Sequence, residues 1–503
     1  MKSIILVIES EIRGCPSHWK LFVAKHLANG SREVPVRVFP ADVKQRLQED
    51  SLPFRLHFRF EAKASRLNQG NFLPPQETFI SKSSVKDEDL IVNLSSLSLG
   101  ELRKIFPKNI IWTLCYKGHP LQAFTHIGEQ EFVCGKATVD IELVESVPGA
   151  EAVCLDVARY NPHYSAVRNF QNAVYSLHLL ILKNIRKRTT ANEIRKADKS
   201  GGSYILSYLA AFYKHVFMLH WRSVLARINP NWYGEQWTVG ISRGQFLEKG
   251  VKDLVVHPVP KGEFWADPFL YRNPRDKKLY LMVERFPFRE RKGVIACGEV
   301  DDELHIHKMH DILVKPYHLS YPHLIEEDGK LYMMPESSAN NRLEIYVCVE
   351  FPNQWQLYAV GMQGQSVTDT VYYMDKNGDR WLFTTESDSD AVMHCTVMNI
   401  YKIDSLALNE VTPHKQNPII IDSSCARNGG RIFESDGNIY RVAQNNTFGE
   451  YGHGVSLRQI VKLDIESYEE VEVASLSGTD VHQFRYNHHL CQIDDAFVLD
   501  LRK

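Results

Sequence analysis

WADPFLYRNPRDKKLYLMVE, at residues 265–284, decides the fold because four later stretches repeat its pattern. Each copy starts at a polar or charged residue, runs through an apolar strand and an acidic or glycine turn, and ends in an aromatic-rich strand. The later copies are SYPHLIEEDGKLYMMPES (320–337), VTDTVYYMDKNGDRWLFTTE (367–386), ARNGGRIFESDGNIYRVAQ (426–444) and the weaker VHQFRYNHHLCQIDDAFVLDL (481–501). Their first residues lie 47 to 59 positions apart, which is the period of a propeller blade. Five copies predict a five-bladed β-propeller, whose innermost strands converge on one axis.

The fifth copy leaves room for only two strands before residue 503. We expect the segments Trp237–Ile241 and Leu254–His257 to supply the missing strands of that blade. Such a closure joins the two ends of the propeller and leaves no free strand edge.

The first 185 residues have a different pattern, typical of an α/β domain. Apolar runs at Ile4–Ile8, Val34–Phe39, Leu90–Leu94 and Asn109–Leu114 predict strands that alternate with helical segments. This alternation favours a parallel, doubly wound, Rossmann-like sheet. Neither GxGxxG nor GxxxxGK follows any of these strands, so no dinucleotide or nucleotide-phosphate site is indicated. We predict no cofactor.

Two helices are predicted between the α/β pattern and the propeller. The first covers Asn169–Ile185 and the second Ser203–Ile228, with a basic and polar linker between them. The second helix is rich in aromatic residues and carries Lys214, Arg222 and Arg227. We expect it to pack between the two domains, and contact of residues 203–228 with a membrane surface is the alternative. The predicted domains are residues 1–185, 186–235 and 236–503.

Composition excludes several classes of protein. A hydrophobic content of 44% and a charged content of 24% are ordinary for a soluble globular chain. A net charge of -2 gives no push toward nucleic acid. The nine cysteines form no CxxC pair, so a zinc ribbon is not indicated, and their odd number suits a reducing compartment. Without a predicted signal peptide or membrane span, we expect a cytoplasmic protein, with peripheral membrane contact left open.

The propeller region resembles a known family over about residues 260–503. The phrases that carry the resemblance, in order, are FWADPFLY, GVIACGEV, YHLSYPHLIEEDGKLYMMPESSAN, FPNQW, VTDTVYY, TPHKQNPI, ARNGGRIF and IYRVAQN. They are similar to the N-terminal domain of the glucosamine inositolphosphorylceramide transferase family. The resemblance implies a five-bladed propeller similar to that of glycoside hydrolases acting on furanosides, arabinans and xylans. It also implies that the glycosyltransferase domain of the eukaryotic enzyme is a separate module.

The first domain resembles the formyltransferase fold of methionyl-tRNA and sugar N-formyltransferases. IIWTLCYKGHPLQAFTHIGEQEFVCGKATVDIEL (110–143) is similar to the stretch that holds the active site in that fold. The family uses Asn-x-His followed by an Asp, but Thr113–Tyr116 contains no Asn-x-His. Asp140 and Asp156 are the nearby acids, and His119 or His126 would have to substitute for the missing histidine. The resemblance therefore implies a degenerate formyltransferase-like domain.

The propeller copies carry candidate catalytic carboxylates. Glycoside cleavage or transfer needs carboxylates on both sides of an anomeric carbon. Asp267 and Asp369 occupy corresponding places in the first and third copies, and Glu336 ends the second strand of the second copy. We assign Asp267 as base or nucleophile, Glu336 as acid and Asp369 as a positioning or pKa-tuning group. Alternatively, the two aspartates cap backbone N–H groups at the blade starts. Glu284 and Glu386 are interpreted as solvated or structural.

Polar and aromatic residues at the same places in the copies are candidate substrate-binding groups. Arginine there suits an anionic sugar, a sugar phosphate or a nucleotide sugar, and salt bridging between blades is the alternative. Aromatic residues there would either stack on sugar faces or fill the propeller core. The candidates are His323, Arg427, Asn428, Arg431, Gln444, His482, Tyr321 and Trp265. Histidines at 305, 307 and 310 are interpreted as surface residues, and no metal site is predicted.

The copies differ at the position expected to face the axis. The first and third offer aspartates, the second His323 and Glu336, the fourth arginines and the fifth His482. We therefore predict a sugar or nucleotide-sugar pocket on the axis of a glycosyl-transferring enzyme for surface polysaccharide or glycolipid assembly. The alternatives are a glycoside hydrolase, a non-catalytic glycan-binding module that positions a partner glycosyltransferase, and a sugar N-formyltransferase.

Overall fold

The computed structural model describes most of the chain. The described residues divide into two compact units, Met1–Tyr213 and Lys214–Lys503. They are residues 3–9, 34–41, 80–95, 97–121, 126–186, 204–229, 236–386, 394–481 and 483–503, together with 23, 27, 54, 56–58, 60 and 61.

The first unit contains a mixed β-sheet. Its strands are β1 (Ile4–Glu9), β2 (Val36–Ala41), β3 (Leu90–Asn93), β4 (Ile110–Tyr116), β5 (His119–Pro120), β6 (Val139–Ser146) and β7 (Val153–Tyr160). The order is β2-β1-β3-β4-β6-β7, with β5 paired to β4. The first four are parallel neighbours, as their continuous apolar runs predicted.

The remaining part of this sheet runs antiparallel, so the prediction of a wholly parallel sheet is wrong. Strand β6 pairs antiparallel with β4 and with β7. The connection from β6 to β7 is a short turn at residues 147–152, which is too short for the crossover that parallel strands need. The structure thus supports a mixed α/β sheet, while a formyltransferase-type domain remains a hypothesis.

Before the propeller, four α-helices have both of their ends within the described residues. They are α1 (Leu99–Ile105), α2 (Glu129–Val133), α3 (Ala166–Arg186) and α4 (Ile205–Ile228). Helix α1 begins at a capping box, in which Ser98 Oγ accepts the Glu101 N–H and the Glu101 carboxylate accepts the Ser98 N–H. Helices α3 and α4 lie where the sequence predicted them.

The middle of helix α4 presents apolar side chains to solvent on all of its sides, whereas Tyr208 and Phe212 near its start are buried. Every residue from 216 to 224 is exposed, and Phe217 and Trp221 are 65% and 51% exposed. A helix that lies on a membrane has one apolar and one charged face, so the membrane contact of residues 203–228 stays a prediction. Among the residues that the structure describes, no helix is both long and apolar enough to span a bilayer.

The second unit is a five-bladed β-propeller, which confirms the prediction from the repeated phrase. It begins with β8 (Trp237–Arg243), the short helix α5 (Phe246–Lys249) and β9 (Val255–Val256). Blades one and two are β10 (Glu263–Arg272), β11 (Leu279–Pro287), β12 (Val294–Val300), β13 (Ile306–Leu313), β14 (Ser320–Glu327), β15 (Lys330–Glu336), β16 (Leu343–Glu350) and β17 (Gln354–Gly361).

Blade three also carries one short additional strand. It contains β18 (Val367–Met374), β19 (Arg380–Glu386), β20 (Val397–Ile403), β21 (Val411–Pro413) and β22 (Ile420–Ile421). Blade four contains β23 (Phe433–Ser435), β24 (Asn438–Asn445), β25 (Gly454–Leu463) and β26 (Tyr468–Ser477).

Blade five is built from both ends of the unit. Its late strands are β27 (Leu490–Ile493) and β28 (Ala496–Arg502), and the sheet order is β27-β28-β8-β9. Strand β28 pairs antiparallel with β8 from Ala496↔Arg243 to Arg502↔Trp237. The predicted closure by the segments near residues 237 and 255 is therefore confirmed.

A shared irregularity in the innermost strands positions the site. The pairing of β10 with β11 shifts between Ala266 and Phe269, and the inner strands of blades two and three shift at the same place. The shifted residues are Asp267, Tyr321 and Asp369, with φ of 48°, 48° and 45°. A bulge of this kind re-aims one side chain. The blade-two equivalent of the two aspartates is thus Tyr321 rather than His323, contrary to the register inferred from sequence.

Candidate active site on the propeller axis

Asp267 lies next to two histidines supplied by blade five. Its Oδ1 is 3.1 Å from His488 Nε2 and 3.7 Å from His489 Nδ1, and its Oδ2 accepts the backbone N–H of Tyr321 at 3.3 Å. Burial opposes ionisation of this carboxyl group, but hydrogen bonds from the two histidines and the charge of His488 outweigh it and hold the pKa of Asp267 below its usual range. Asp267 is therefore an ionised carboxylate.

Asp500 holds His488, the partner of Asp267, in place. Its Oδ1 accepts the backbone N–H groups of His488 and His489, both at 2.9 Å, and its Oδ2 is 2.9 Å from His488 Nδ1. Burial lowers the pKa of His488, but Asp500 and Asp267 outweigh it and raise that pKa to about 10. His488 is thus an imidazolium between two carboxylates.

Asp267, His488 and Asp500 are also close enough together to surround a metal ion. Ligand atoms of Asp267, His488 and Asp500 lie within 4.8 Å of one another. A histidine ligand must be neutral, whereas His488 is held protonated by the carboxylates on both sides. The triad therefore fits an ion-pair chain better than a metal centre.

Asp369 has the same backbone conformation as Asp267 but different neighbours. Its Oδ2 accepts hydrogen bonds from Arg427 Nε at 2.6 Å and from Gln444 Nε2 at 2.8 Å. Burial raises the pKa of Asp369, Arg427 opposes the rise, and the charges of Glu336 and Asp267 together with a hydrogen bond to Glu336 add to it. The net result is a pKa well above the usual value for aspartate.

Glu336 lies beside the carboxyl group of Asp369. Glu336 Oε1 accepts the Ser338 hydroxyl at 2.7 Å, and its Oε2 lies 3.5 Å from Arg427 Nη2. Glu336 Oε2 and Asp369 Oδ1 are both buried, and neither receives a hydrogen bond from an N–H or O–H group. Because two neighbouring carboxyl groups cannot both ionise freely, the raised pKa of Asp369 keeps a proton at this place.

Glu284 belongs to this carboxylate cluster, so of its two interpretations, as a solvated or a structural residue, the solvated one is wrong. It is only 7% exposed because β11 places it directly opposite Ala266, next to Asp267. Burial raises its pKa well above the usual value, and the charges of Asp267, Glu336 and Asp369 raise it further. We call Asp267, Glu284, Glu336, Asp369, Arg427 and His488 the axial site.

The predicted polar binding residues fall into two groups. Arg427 contacts Asp369 and Glu336, so it makes the salt bridge between blades that was the alternative to binding an anion. Asn428 donates to the backbone oxygens of Asp369 and Phe383 at 2.8 and 3.0 Å, and Gln444 also donates to the Asn428 oxygen. All three side chains hold blades three and four around Asp369.

His323 and Arg431 lie beside Phe269, two residues further along the inner strand than Asp267. The His323 ring is 5.5 Å from that of Phe269, and its Nε2 accepts the Tyr372 N–H at 3.2 Å. Burial lowers the pKa of His323 to about 3, so it is neutral. Arg431 donates to the Leu270 oxygen at 3.3 Å. No contact of either residue with the carboxylates is found among the described residues.

Tyr321 fills the channel next to the axial site. It is fully buried, its ring lies 5.1 Å from those of Phe269 and His489, and its hydroxyl bonds to both backbone groups of Gly430. Its role is therefore packing, the alternative to stacking on a sugar. His482 lies outside the described residues.

Trp265 faces away from the carboxylates. Its indole N–H donates to Glu263 at 2.9 Å, and it borders a cavity of about 400 Å³. The other residues around this cavity are Pro260, Glu263, Arg285, Met309, His310 and Asp311. The site thus lacks Trp265 and includes Glu284 and His488, which were not predicted. Adjacent histidines in the fifth copy were the available signal for His488.

The family described as "Glucosamine inositolphosphorylceramide transferase 1, N-terminal" matches residues 254–490. Glucosamine inositolphosphorylceramide transferase 1 of Arabidopsis thaliana is 35% identical over 235 residues, which cover 45% of this chain and 30% of that protein. The protein of the same name from Oryza sativa subsp. japonica is 34% identical over 213 residues, which cover 42% of this chain and 28% of that protein. The chain spans about 30% of the length of the curated relatives it matches.

Solved structures also align with about half of the chain. A GH43 β-xylosidase/α-arabinofuranosidase from a compost microbial metagenome is 13% identical with a TM-score of 0.35, covering 47% of this chain and 84% of its own. An exo-1,5-α-L-arabinanase from a bovine ruminal metagenomic library is 12% identical with a TM-score of 0.32, and the alignment covers 48% of this chain and 95% of the arabinanase. The fold assignment rests on the strand pairing of the five blades rather than on these alignments. Residues 254–490, which fold as most of the propeller, are thus similar to the N-terminal domain of the glucosamine inositolphosphorylceramide transferase 1 family.

Proposed function

We propose that the axial site binds a glycosyl substrate and transfers its sugar by acid–base chemistry during the assembly of a glycolipid or surface polysaccharide. The relatives are named for glucosamine and inositolphosphorylceramide, so a lipid-linked acceptor is our first candidate. The observation that carries the proposal is the contrast between Asp267 and Asp369. Identical backbone positions present an ionised carboxylate and a proton-holding carboxyl group to one axis.

The two groups have complementary roles in this mechanism. Asp267 removes the proton of the acceptor hydroxyl as that oxygen bonds to the anomeric carbon. The bond from the anomeric carbon to the leaving oxygen breaks with its electron pair on that oxygen, which takes the proton held by Asp369 and Glu336. Arg427 holds Asp369 and Glu336 in position through its contacts with both carboxyl groups. This catalysis requires that the acid and the base have different pKa values.

The charges of the site favour a hydroxyl-rich sugar over an anionic one at the axis. Arg427 is occupied by Asp369 and Glu336, and His488 by Asp267 and Asp500. Sugar hydroxyl groups would find carboxylate acceptors, whereas a carboxylate or phosphate at the axis would meet like charge. Of a nucleotide-sugar donor, only the phosphate oxygen bonded to the anomeric carbon would reach the axis, beside the proton held by Asp369 and Glu336, and the rest of the nucleotide would lie outside it.

A transfer assay tests this function. Nucleotide-activated glucosamine and inositolphosphorylceramide would be incubated with the full chain, and labelled glycolipid would be resolved by mass spectrometry. We expect product with the wild type and with Asp436→Asn, and none with Asp267→Asn. Asp436 is a matched control because it is an exposed hairpin aspartate with φ of 50°. Absence of transfer by the wild type with every nucleotide sugar tried would sink the proposal.

Hydrolysis is the second candidate because the same acid and base can activate water. It is distinguished by release of free sugar from glycosides without any acceptor. A glycan-binding module that positions a glycosyltransferase would bind sugar without either reaction. Formyl transfer by the first unit would require that unit to bind a formyl-folate cofactor, which isothermal titration would detect.

A lipid acceptor would bring the protein to a membrane surface. We propose that it works at the cytoplasmic face, with contact through residues 203–228. Sedimentation with anionic phosphatidylserine vesicles tests this location, and an unchanged supernatant fraction would contradict it.

A further inference from the structure

Glu284 and Glu336 occupy equivalent positions in neighbouring blades but have different partners. Glu284 lies opposite Ala266 in blade one, and Glu336 lies opposite Ser320 in blade two. Glu336 is near the cationic Arg427 at 3.5 Å. Glu284 has instead His318 Nε2 at 3.5 Å from its Oε1. The first carboxyl group thus lacks the cation that the second one has.

The tautomer of His318 follows from its surroundings. Its Nδ1 accepts the backbone N–H of Gly293 at 2.9 Å, so the ring proton resides on Nε2 and points toward Glu284. Burial lowers the pKa of His318, with Asp267 opposing the change. His318 is therefore a neutral neighbour of Glu284, with its Nε2 3.5 Å from Glu284 Oε1, and it does not supply the charge that Arg427 supplies to Glu336.

Gly293 makes this arrangement sterically feasible. A Cβ at residue 293 would lie 2.5 Å from the Leu319 oxygen, 2.7 Å from Glu284 Oε1 and 2.8 Å from His318 Cε1. Such distances are far below van der Waals contact, so any larger residue would displace the Glu284–His318 pair. The backbone of blade one is thus shaped around the Glu284 carboxyl group.

The charged groups that face Glu284 are mostly anionic. Asp267, Glu336 and Asp369 favour its protonated form, and only His488 opposes them. Burial acts in the same direction as the three carboxylates and is the largest influence. A carboxyl group in this setting keeps its proton at neutral pH and has an O–H group to donate.

We propose that Glu284 is a substrate-binding residue of the axial site. It holds a proton, is positioned next to His318, and donates a hydrogen bond to an oxygen of the bound sugar. This inference rests on the proposed function of the site. It adds a donor on the blade-one side, where Asp267 and Asp500 offer only acceptors. A sugar hydroxyl could thus accept from Glu284 while it donates to Asp267.

Infrared difference spectroscopy on protein labelled with ¹³C-glutamate tests the protonation without any substrate. We expect a carbonyl stretch of protonated glutamate side chains at neutral pH, one component of which is lost in Glu284→Gln and retained in Glu303→Gln, an exposed control. His318→Phe should shift this stretch, and His318→Gln, which restores a donor, should return it toward its original position. If Glu284→Gln leaves the protonated-glutamate signal unchanged, the inference is wrong.

Binding of nucleotide-activated glucosamine provides the second readout. Glu284→Gln keeps a donor and should retain the wild-type Kd within about threefold, whereas Glu284→Ala should weaken binding by about tenfold, the size of one net hydrogen bond. Equal binding by Glu284→Ala and wild type would overturn the substrate-binding role. Failure of the wild type to bind any sugar would sink the proposed function, while the infrared signal would still decide the state of Glu284.

Discussion

Asp267 in blade one and Asp369 in blade three share a backbone position, with φ of 48° and 45°. Asp267 faces the imidazolium of His488, whereas Asp369 faces the carboxyl group of Glu336. The first aspartate is therefore ionised, and the second shares a retained proton. The comparison teaches that the repeat supplies the position of an axial residue, while the neighbouring blades supply its chemistry.

Removing the charge of Asp267 should have the largest effect. Asp267→Asn keeps the shape of the side chain but removes the base, so we expect turnover to fall by about 10³-fold. The melting temperature should change little. Initial rates in the transfer assay and a thermal melt measure the two quantities, with Asp436→Asn as the matched control. Loss of folding together with activity would favour the backbone-capping role instead.

We expect His488 to make the free energy of unfolding decrease as the pH rises into the alkaline range. Its folded-state pKa of about 10 lies above the value of about 6.5 for a free histidine. The stabilisation is therefore fully present below about pH 6.5 and is lost as pH rises through 10. We expect the wild-type free energy of unfolding to fall by a few kcal/mol across this range. Urea titrations of His488→Gln should show a weaker dependence, and an unchanged slope would contradict the ion-pair chain.

Asp369→Asn should shift the pH profile rather than abolish turnover. The variant removes the Asp369 carboxyl group, whose pKa burial and the neighbouring carboxylates raise, and with it the proton that this group holds. The alkaline limb of kcat/KM against pH should therefore move to lower pH, with about a tenfold loss of rate near neutrality. A profile that keeps its alkaline limb would show that the pair does not supply the proton.

Tyr321→Phe should have the smallest effect because blade two contributes packing at the equivalent position. The change leaves the buried N–H and C=O groups of Gly430 without the Tyr321 hydroxyl. We expect a destabilisation of about 1–3 kcal/mol, measured by urea unfolding. Tyr358→Phe, on an outer strand and 46% exposed, is the control. If Tyr321→Phe also lost binding of nucleotide-activated glucosamine, Tyr321 would have to contact substrate.

The blades and their closure could be predicted from sequence because each copy is a local hairpin with its own strand and turn pattern. The equivalence of Asp267 and Asp369 followed from the same register. Tyr321 was misplaced relative to His323 because a bulge inserts one residue, and one position decides which side chain faces the axis. In the first unit, the apolar runs predicted the parallel strands but not the antiparallel pairing of β6 and β7.

The chemistry of the site depended on contacts between distant parts of the chain. His488 reaches Asp267 only through closure of blade five, and Glu284 is buried only because Gly293 and His318 approach it. Arg427 looked free to bind an anion, but the fold pairs it with Asp369 and Glu336. Residue type and spacing in one copy carry no information on such neighbours.

The most direct test of the central claim is a carboxyl-carbon NMR titration of protein labelled with ¹³C at the side-chain carboxyl groups of aspartate and glutamate. Asp267→Asn and Asp369→Asn would assign the two aspartate signals. The account predicts that the Asp267 carboxyl group stays ionised well below pH 4, and that the Asp369–Glu336 pair keeps one proton at pH 7. Titration of both aspartates together near pH 4 would contradict it.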